Sequence, residues 1–532
     1  MTSIKSIYPD VEIPSISVYD YIFGSLSEAD LGRTAVVDGD CTLTYGELRQ
    51  AVDRFAGALA ARGVAPGDVV ALHAPNGSGF AIAFHGILRA GATATALNAM
   101  YAPHEIANQL RDSGASTYVT VASFLPGALA GAEAAGLGRD AFIVLDPTEG
   151  YPSLPDLLGE DATAPDIAVD PAAHLAVLPY SSGTTGLAKG VMLTHTNLVA
   201  NIAQCEPMLE VTERDTVLAV LPFFHIYGMN VLLNLTLRAR GTLVTMPRFD
   251  LAEFLTRIQE NRCTFLYIAP PVAVALAKHP MVEQYDLSSL RMVVSGAAPL
   301  DEALSNRLAT RLGVRLMQGF GMTELSPVSH LTPLDDPDMS VGSIGVAVPN
   351  LEFRAVDPAT GQDVPWTPGR RSSAGKMLVR GPNVMRGYLG NPEATAATID
   401  PDGFLHTGDI IEIGAKGEVY VVDRLKELIK YKGYQVPPAE LEAVLLTHPS
   451  IADAAVVAHP DEEGGEIPRA FVVLQDGTAP TANEIMSYVA ERVAPHKKVR
   501  LVDFIDAIPK SASGKILRRE LRGLSATTSA AG

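Results

Sequence analysis

Cysteine is scarce: Cys41, Cys205 and Cys263 are the only three in 532 residues, an odd number without CxxC spacing. That excludes a disulfide framework and a cysteine-based zinc site, and points to a reducing compartment. Charge is also thin, at 19% of residues against 47% apolar, the balance of an ordinary globular enzyme. Basic residues are outnumbered 41 to 60, which leaves a net charge of −19. A field of that sign repels nucleic acid and anionic lipid, so neither is an expected partner. An anionic ligand would need local basic residues, and the 424–432 segment and Lys497-Lys498 can supply them. Met1-Thr2-Ser3-Ile4-Lys5 lacks the apolar core of a signal peptide. The longest uncharged stretch, Gly114 to Ala132, is broken by Gly, Ser, Thr and Pro, so no membrane span is expected. The end, Ser529-Ala530-Ala531-Gly532, is not a peroxisomal tripeptide. A cytoplasmic location is expected.

The chain exceeds what one core usually serves, so two or more domains are expected. Thr44-Tyr45-Gly46-Glu47 reads as a capping box, with Leu48, Val52, Phe55 and Leu59 following at helical spacing and Gly63 as a stop. Val69 to Leu72 reads as a buried strand leading into an apolar helix over 81–88. Such alternation recurs, with strands expected at 117–121, 141–145, 216–221, 242–246, 264–268 and 292–295. It predicts layered α/β structure with largely parallel sheets. After about Asn350 a smaller β-rich stretch begins, with strands expected at 351–356 and 377–380 beside Pro349, Pro358, Pro365 and Pro368. Beyond Asp423, strands at 454–458, 470–475 and 501–504 alternate with helices near 438–447 and 482–493, enough for a small α+β domain.

Several motifs carry chemistry. In Tyr180-Ser181-Ser182-Gly183-Thr184-Thr185-Gly186-Leu187-Ala188-Lys189-Gly190, small residues let backbone N–H groups converge on phosphate oxygens while hydroxyls and Lys189 add donors. It is not a Walker loop, because the spacing from Gly183 to Lys189 differs and Gly190 replaces the metal-binding Ser/Thr. Taken alone, such a run is often a surface turn. In Gln318-Gly319-Phe320-Gly321-Met322-Thr323-Glu324, glycines permit close approach to a flat base, and a hydroxyl beside a carboxylate suits phosphate and Mg²⁺. Asp409 in His406-Thr407-Gly408-Asp409 can accept two vicinal ribose hydroxyl protons, and Arg424 can hold a ribose or phosphate. Leu221-Pro222-Phe223-Phe224-His225-Ile226-Tyr227-Gly228 is an apolar, aromatic run with one histidine. A lone His there is more often a satisfied core residue. Two lysines stand apart, Lys430 in Asp423-Arg424-Leu425-Lys426-Glu427-Leu428-Ile429-Lys430 and Lys515 after Ser511-Ala512-Ser513-Gly514. One phosphate loop with two separately mounted lysines suggests a two-step reaction through an adenylate.

Together these motifs resemble the acyl-adenylate-forming (AMP-binding) superfamily, most closely its 4-coumarate–CoA ligase-like branch, from about Thr44 to Arg519. The resemblance implies an α/β large domain with a β-rich subdomain, and a small mobile α+β lid. The expected boundaries are 1–423 for the AMP- and acyl-binding domain, 424–426 for a hinge, 427–522 for the lid and 523–532 for an unstructured tail. It implies ATP, Mg²⁺ and coenzyme A as cofactor and co-substrates, and a small carboxylic acid as the partner acyl donor. Ser181, Ser182, Gly183, Thr184, Thr185 and Lys189 would cradle phosphate. Ala297, in the adenine-side turn Ser295-Gly296-Ala297-Ala298-Pro299, would join Gln318 and Gly319 around the adenylate. Thr323 would contact the α-phosphate, Glu324 the metal, and Asp409 and Arg424 the nucleotide. His225 would position the carboxylate and Tyr227 would wall the acyl pocket. Lys515 would serve adenylate formation; Lys430, Lys432 and Gly433 would serve thioester formation, Lys426 would be the hinge, and Arg248 would contact CoA.

The chain departs from the family in three places. Ala188 stands where most relatives have Pro. Pro368-Gly369-Arg370-Arg371-Ser372-Ser373-Ala374-Gly375-Lys376 replaces a Pro-Gly-Glu-x-Gly-Glu pattern, turning acidic positions basic. Around the acyl site, Val294 and Val231 stand where plant 4-coumarate–CoA ligases typically have Lys and Ser. A buried substrate hydroxyl would then lack a partner at about 1–3 kcal/mol, so apolar acids are expected: cinnamate-like aryl acids without ring hydroxyls or medium-chain fatty acids. The alternatives are a luciferase-like enzyme, an adenylating enzyme feeding a carrier protein in trans, and a silent nucleotide-binding relative. Too little sequence follows Lys515 for a carrier domain, and a silent relative would be expected to lose Lys515, Glu324 or Asp409.

Overall fold

The computed structural model describes residues 3–181, 188–297, 300, 302–336, 338–424, 427–431, 434–461, 465–511 and 514–524. It divides into two compact units, one of residues 4–352 and 379–405, the other of 353–378 and 406 onward with the first three residues.

In the larger unit, the run Thr44 to Gly63 folds as its pattern requires. Thr44 Oγ1 accepts from Glu47 N and Glu47 Oε2 accepts from Thr44 N, starting the helix Tyr45–Ala61. Gly63, at φ 87°, follows its end. Short apolar runs then build two sheets. One orders Gly387–Tyr388, Lys189–Thr194, Leu175–Val177, Thr93–Ala96, Val69–His73, Thr117–Thr120 and Phe142–Val144 side by side. The other has Val346–Ala347, Val328–Leu331, Arg315–Gly321, Met292–Ser295, Phe265–Ile268, Thr216–Ala219, Thr242–Thr245, Thr34–Asp38 and Cys41–Thr44. From Arg315–Gly321 across to Thr34–Asp38 every pairing is parallel. The expected α/β layering with largely parallel sheets is therefore present. Alternation sets the faces: Leu218, Leu266, Ile268 and Val293 enter one core with the helices Leu251–Glu260, Pro270–Lys278 and Glu302–Leu312. Phe265, Tyr267 and Val294 face the other way.

The smaller unit holds two sheets. Glu352–Val356, Gly375–Arg380, Leu405–Ile413 and Val419–Arg424 form one, matching the expected β-rich stretch. The basic departure lies on its edge, where Arg371 pairs with Glu412 at 2.5 Å and stacks on Tyr420 at 4.0 Å. The sign change at Arg371 is thus met by a local acidic partner, a surface pair worth about 0–1 kcal/mol. The other sheet joins Tyr434–Val436, Ile429–Tyr431, Gly465–Leu474 and Ile451–Asp461, with Leu501–Phe504 parallel to Gly465–Leu474. Helices Pro438–Leu446 and Ala482–Ala490 bury Leu441, Leu445, Ile485 and Val489 against Ile429, Val456 and Val472. On the opposite face, Leu521 of the helix Arg518–Gly523 packs with Val457 and Phe471.

Arg518 ties this unit together. Its guanidinium donates to Glu427 Oε2 at 2.7 Å and to both oxygens of Glu442 at 2.7 Å. Burial raises the Glu442 carboxyl above its ordinary range and Arg518 opposes that. Removing one partner of a buried pair leaves uncompensated charge, so Arg518→Ala is expected to cost about 3–5 kcal/mol. Denaturant unfolding followed by a probe in residues 427–522 measures this, and an unchanged midpoint contradicts it.

Candidate active site

Parallel strands place the loops that follow them at one end of a sheet, where α/β folds bind ligands. Thr216–Ala219, Phe265–Ile268, Met292–Ser295 and Arg315–Gly321 are neighbours in register, with Ile268 beside Ser295 and Ser295 beside Gln318. The segments after them are 221–228, 296–297 and 322–326. Three motifs separated by up to a hundred positions thereby meet at one sheet end.

On the side expected to hold phosphate, the Ser/Thr/Gly run lies between two paired strands, with Ser181 directly opposite Lys189 and Tyr180 opposite Gly190. Ser182, Gly183, Thr184 and Thr185 lie outside the described residues. Lys189 Nζ sits 4.9 Å from the centroid of the Tyr388 ring. Tyr388 Oη donates to Glu324 Oε1 at 2.8 Å, and Glu324 is only 4% exposed. Burial and the Glu324 charge both raise the Tyr388 phenol, keeping it the neutral donor. Glu324 and Thr323 form one short 3₁₀ turn. That turn is held from two sides: Asn383 Nδ2 donates to Leu325 O at 2.8 Å, and Asn230 Nδ2 donates to Ser326 O at 2.7 Å. Gln318 and Gly319 enter from the adjoining strand. The Gln318 amide is engaged by the segment beyond the adenine-side turn, accepting from Leu300 N at 3.1 Å and donating to Leu300 O at 2.9 Å. Ala297 in that turn adopts φ 71°, a left-handed strain typical of functional loops.

On the side expected to hold the acyl group, His225 Nδ1 accepts from Tyr227 N at 3.3 Å. That puts the neutral ring's proton on Nε2. A π-helix, Tyr227–Asn234, follows at once, a wider turn often found at functional sites. Gly228 lets it start, since a Cβ there would lie 2.1 Å from Pro222 O. The Tyr227 ring lies against Gly296, where a Cβ would stand 2.8 Å from Tyr227 Cε1. Tyr227 Oη reaches Val294 O at 3.5 Å, and its ring meets Tyr267 edge-on at 6.1 Å. Val231 and Val294 are both buried.

In the smaller unit, Asp409 is buried and stands directly across two strands from Arg424. Lys430 is exposed on the strand Ile429–Tyr431, whose backbone N–H donates to Glu466 at 2.8 Å. Lys515 follows a tight turn at Gly514. Lys426, Lys432 and Gly433 lie outside the described residues. Arg248 is exposed in the larger unit beside Phe249.

Sequence reasoning missed Tyr388, which sits in a two-residue strand with no motif of its own. Among the described residues no three His, Cys, Asp or Glu side chains gather as a metal site. A single buried carboxylate beside Thr323 still suits Mg²⁺, which usually takes one or two carboxylates and completes its shell with substrate phosphates and water. No described helix is long and apolar enough to cross a membrane.

Known proteins are similar to this chain over most of its length. Residues 27–389 match the family model described as AMP-binding enzyme, and 440–515 match the AMP-binding enzyme C-terminal domain. A 4-coumarate–CoA ligase of Oryza sativa subsp. japonica is 42% identical, over 97% of this chain and 96% of its own. The crystal structure of ATP-bound MatB from Rhodopseudomonas palustris superposes with a TM-score of 0.86 at 29% identity, covering 96% of this chain and 98% of that one. The anthranilate CoA ligase AuaEII in complex with anthranoyl-AMP gives a TM-score of 0.87 at 28% identity, covering 96% and 97%. This chain belongs to the AMP-binding enzyme family.

Proposed function

We propose that the acid activated by this chain is a cinnamate-like aryl acid, seated against Tyr227. The chain is an AMP-forming acid–thiol ligase that uses ATP, Mg²⁺ and CoA. In its first step the acid's carboxylate attacks the α-phosphorus of ATP, giving acyl-AMP and pyrophosphate. In its second the CoA sulfur attacks the acyl carbonyl, giving acyl-CoA and AMP. The observation that carries the residue assignment is the Lys189–Tyr388–Glu324 cluster at the same sheet end as His225 and Tyr227.

In our reading Lys189 and the 181–185 loop hold phosphate, and Thr323 donates to the α-phosphate. Glu324, aimed by Tyr388, would hold Mg²⁺, which would supply positive charge against the phosphates. His225 Nε2–H donates to the acid's carboxylate and keeps it in line for attack. Ala297, Gln318 and Gly319 bound the adenine side, and Asp409 with Arg424 takes the ribose. Lys515 serves the first step; Lys430, Lys432, Gly433 and Arg248 serve the second. Residues 1–423 form the binding domain, 424–426 the hinge about Lys426, 427–522 the lid and 523–532 the tail. The two family-model matches on either side of 424–426 support that division. The free thiols Cys41, Cys205 and Cys263 support a cytoplasmic location.

The aryl reading is favoured by the partly exposed Tyr227 ring and by relatives named for 4-coumarate. Buried Val231 and Val294 favour a second reading, a medium-chain fatty acid. Pyrophosphate release with ATP is measured for cinnamate, 4-coumarate, hexanoate and octanoate, with and without CoA. Acid-dependent release, acyl-CoA formation on adding CoA and loss of both with EDTA are expected, with aryl acids ahead. Hexanoate or octanoate ahead of both aryl acids overturns the aryl assignment.

A further inference from the structure

Asn230 is buried between Met229 and Leu232, both of them fully buried apolar residues. A polar side chain in that setting is tolerated where its hydrogen bonds are made, and Asn230 makes three. Its Nδ2 donates to Ser326 O at 2.7 Å and to Leu198 O at 3.2 Å, and its Oδ1 accepts from Asn234 Nδ2 at 3.0 Å. Asn234 Oδ1 in turn meets His85 Nε2 at 3.0 Å. This buried polar chain starts on the helix Ser78–Arg89, crosses the π-helix Tyr227–Asn234 and ends on the Ser326 carbonyl. Both ends of its last link matter. Tyr227 opens the π-helix that carries Asn230, and His225 stands just before it. Ser326 closes the turn that carries Thr323 and Glu324. It holds φ 70°, a left-handed conformation that a non-glycine residue keeps only where its surroundings enforce it. Two bonds do so: the Asn230 amide on its carbonyl, and its own Oγ donating to Asn383 O at 2.9 Å. A leucine of similar volume would fill the Asn230 position, but only a side-chain amide also fixes where the helix stands relative to the turn.

We infer that Asn230 is a positioning residue for the first half-reaction: its amide locks the element expected to hold the acid to the turn expected to hold the α-phosphate and Mg²⁺. It thereby sets the approach of carboxylate to phosphorus. This rests on the site assignment proposed above and goes beyond it. Neither substrate needs the link in order to bind, because His225 and Tyr227 stay on one element while Thr323 and Glu324 stay on the other. Attack needs both at once, and a misplacement of about 1 Å between reacting groups costs on the order of a hundredfold in rate.

Asn230→Ala and the volume-matched Asn230→Leu are compared with Asn234→Ala, which breaks the same buried chain one link farther from the turn. Pyrophosphate release is followed with whichever of cinnamate, 4-coumarate, hexanoate and octanoate reacts fastest, and melting temperatures are recorded. Calorimetry measures binding of α,β-methylene-ATP, which cannot release pyrophosphate, with and without Mg²⁺. All three variants are expected to melt lower than the wild type, since each leaves a buried polar group unpaired. Both Asn230 variants should lose about thirtyfold or more in kcat, with KM for acid and ATP, and affinity for the analogue, within about threefold. Asn234→Ala should keep kcat within about threefold, because its loss leaves the Asn230–Ser326 bond in place. An unchanged kcat in the Asn230 variants, a loss carried by KM, an equal kcat loss in Asn234→Ala, or failure of both Asn230 variants to fold overturns the inference while the site assignment stands. Glu324→Gln checks that assignment separately: if analogue binding keeps its full Mg²⁺ dependence in this variant, the assignment falls and the inference with it.

Discussion

Lys515→Ala is expected to cut acid-dependent pyrophosphate release about a thousandfold, while thioester formation from supplied acyl-AMP stays within a few-fold. Attack of a carboxylate on the α-phosphorus brings two anions together, and charge then moves onto the departing pyrophosphate. A cation that bridges them is worth most in that transition state and little once acyl-AMP exists. The backbone around Lys515 is built to present one side chain reproducibly. Ser511 N donates to Lys515 O at 2.8 Å, Gly514 N to Ser511 O at 2.8 Å, and Lys515 N to Ser511 Oγ at 3.1 Å. Lys510 and Ile516 close the turn as an isolated antiparallel bridge. Neighbouring cations cannot readily substitute. Lys510 is bound to Asp453 at 2.5 Å, and Arg518 is held between Glu427 and Glu442. Single-turnover measurements of the two half-reactions check the prediction, and equal loss in both would remove Lys515 from the first step.

Much of this was legible in the chain because local chemistry and global fold agree. The Thr44–Glu47 capping box and the strand Met292–Ser295 occur where spacing and apolar runs put them. Glu324 stood out in the sequence as a carboxylate beside a hydroxyl after glycines, and the fold buries it just beyond the strand Arg315–Gly321. What escaped was set by distance in sequence. Tyr388 aims Glu324 from 64 positions away, and its strand of two residues is too short to show any period. The π-helix at Tyr227–Asn234 was hidden for a related reason, since a mostly apolar run of eight residues reads equally well as an α-helix.

Lys430→Ala should give the mirror image of the Lys515 variant: thioester formation from supplied acyl-AMP falls about a hundredfold, and pyrophosphate release in the first turnover stays within a few-fold. Strand geometry presents this lysine. Ile429 is fully buried in the core of the smaller unit, so the next side chain must point the opposite way, and Lys430 is exposed. The strand is pinned on both sides of it. Lys430 N donates to Glu466 Oε2 at 2.8 Å, and the Tyr431 ring lies 3.7 Å under the Arg500 guanidinium. Truncating an exposed side chain on a pinned strand removes its charge without moving the backbone, so stability should hold while one half-reaction fails. A structural role would lower both half-reactions and the melting temperature together. A role confined to the second step lowers thioester formation alone and lets acyl-AMP accumulate on the enzyme when acid, ATP and CoA are mixed. Rapid quenching of that mixture detects the accumulated acyl-AMP, and its absence alongside slowed pyrophosphate release would place Lys430 in the first step instead.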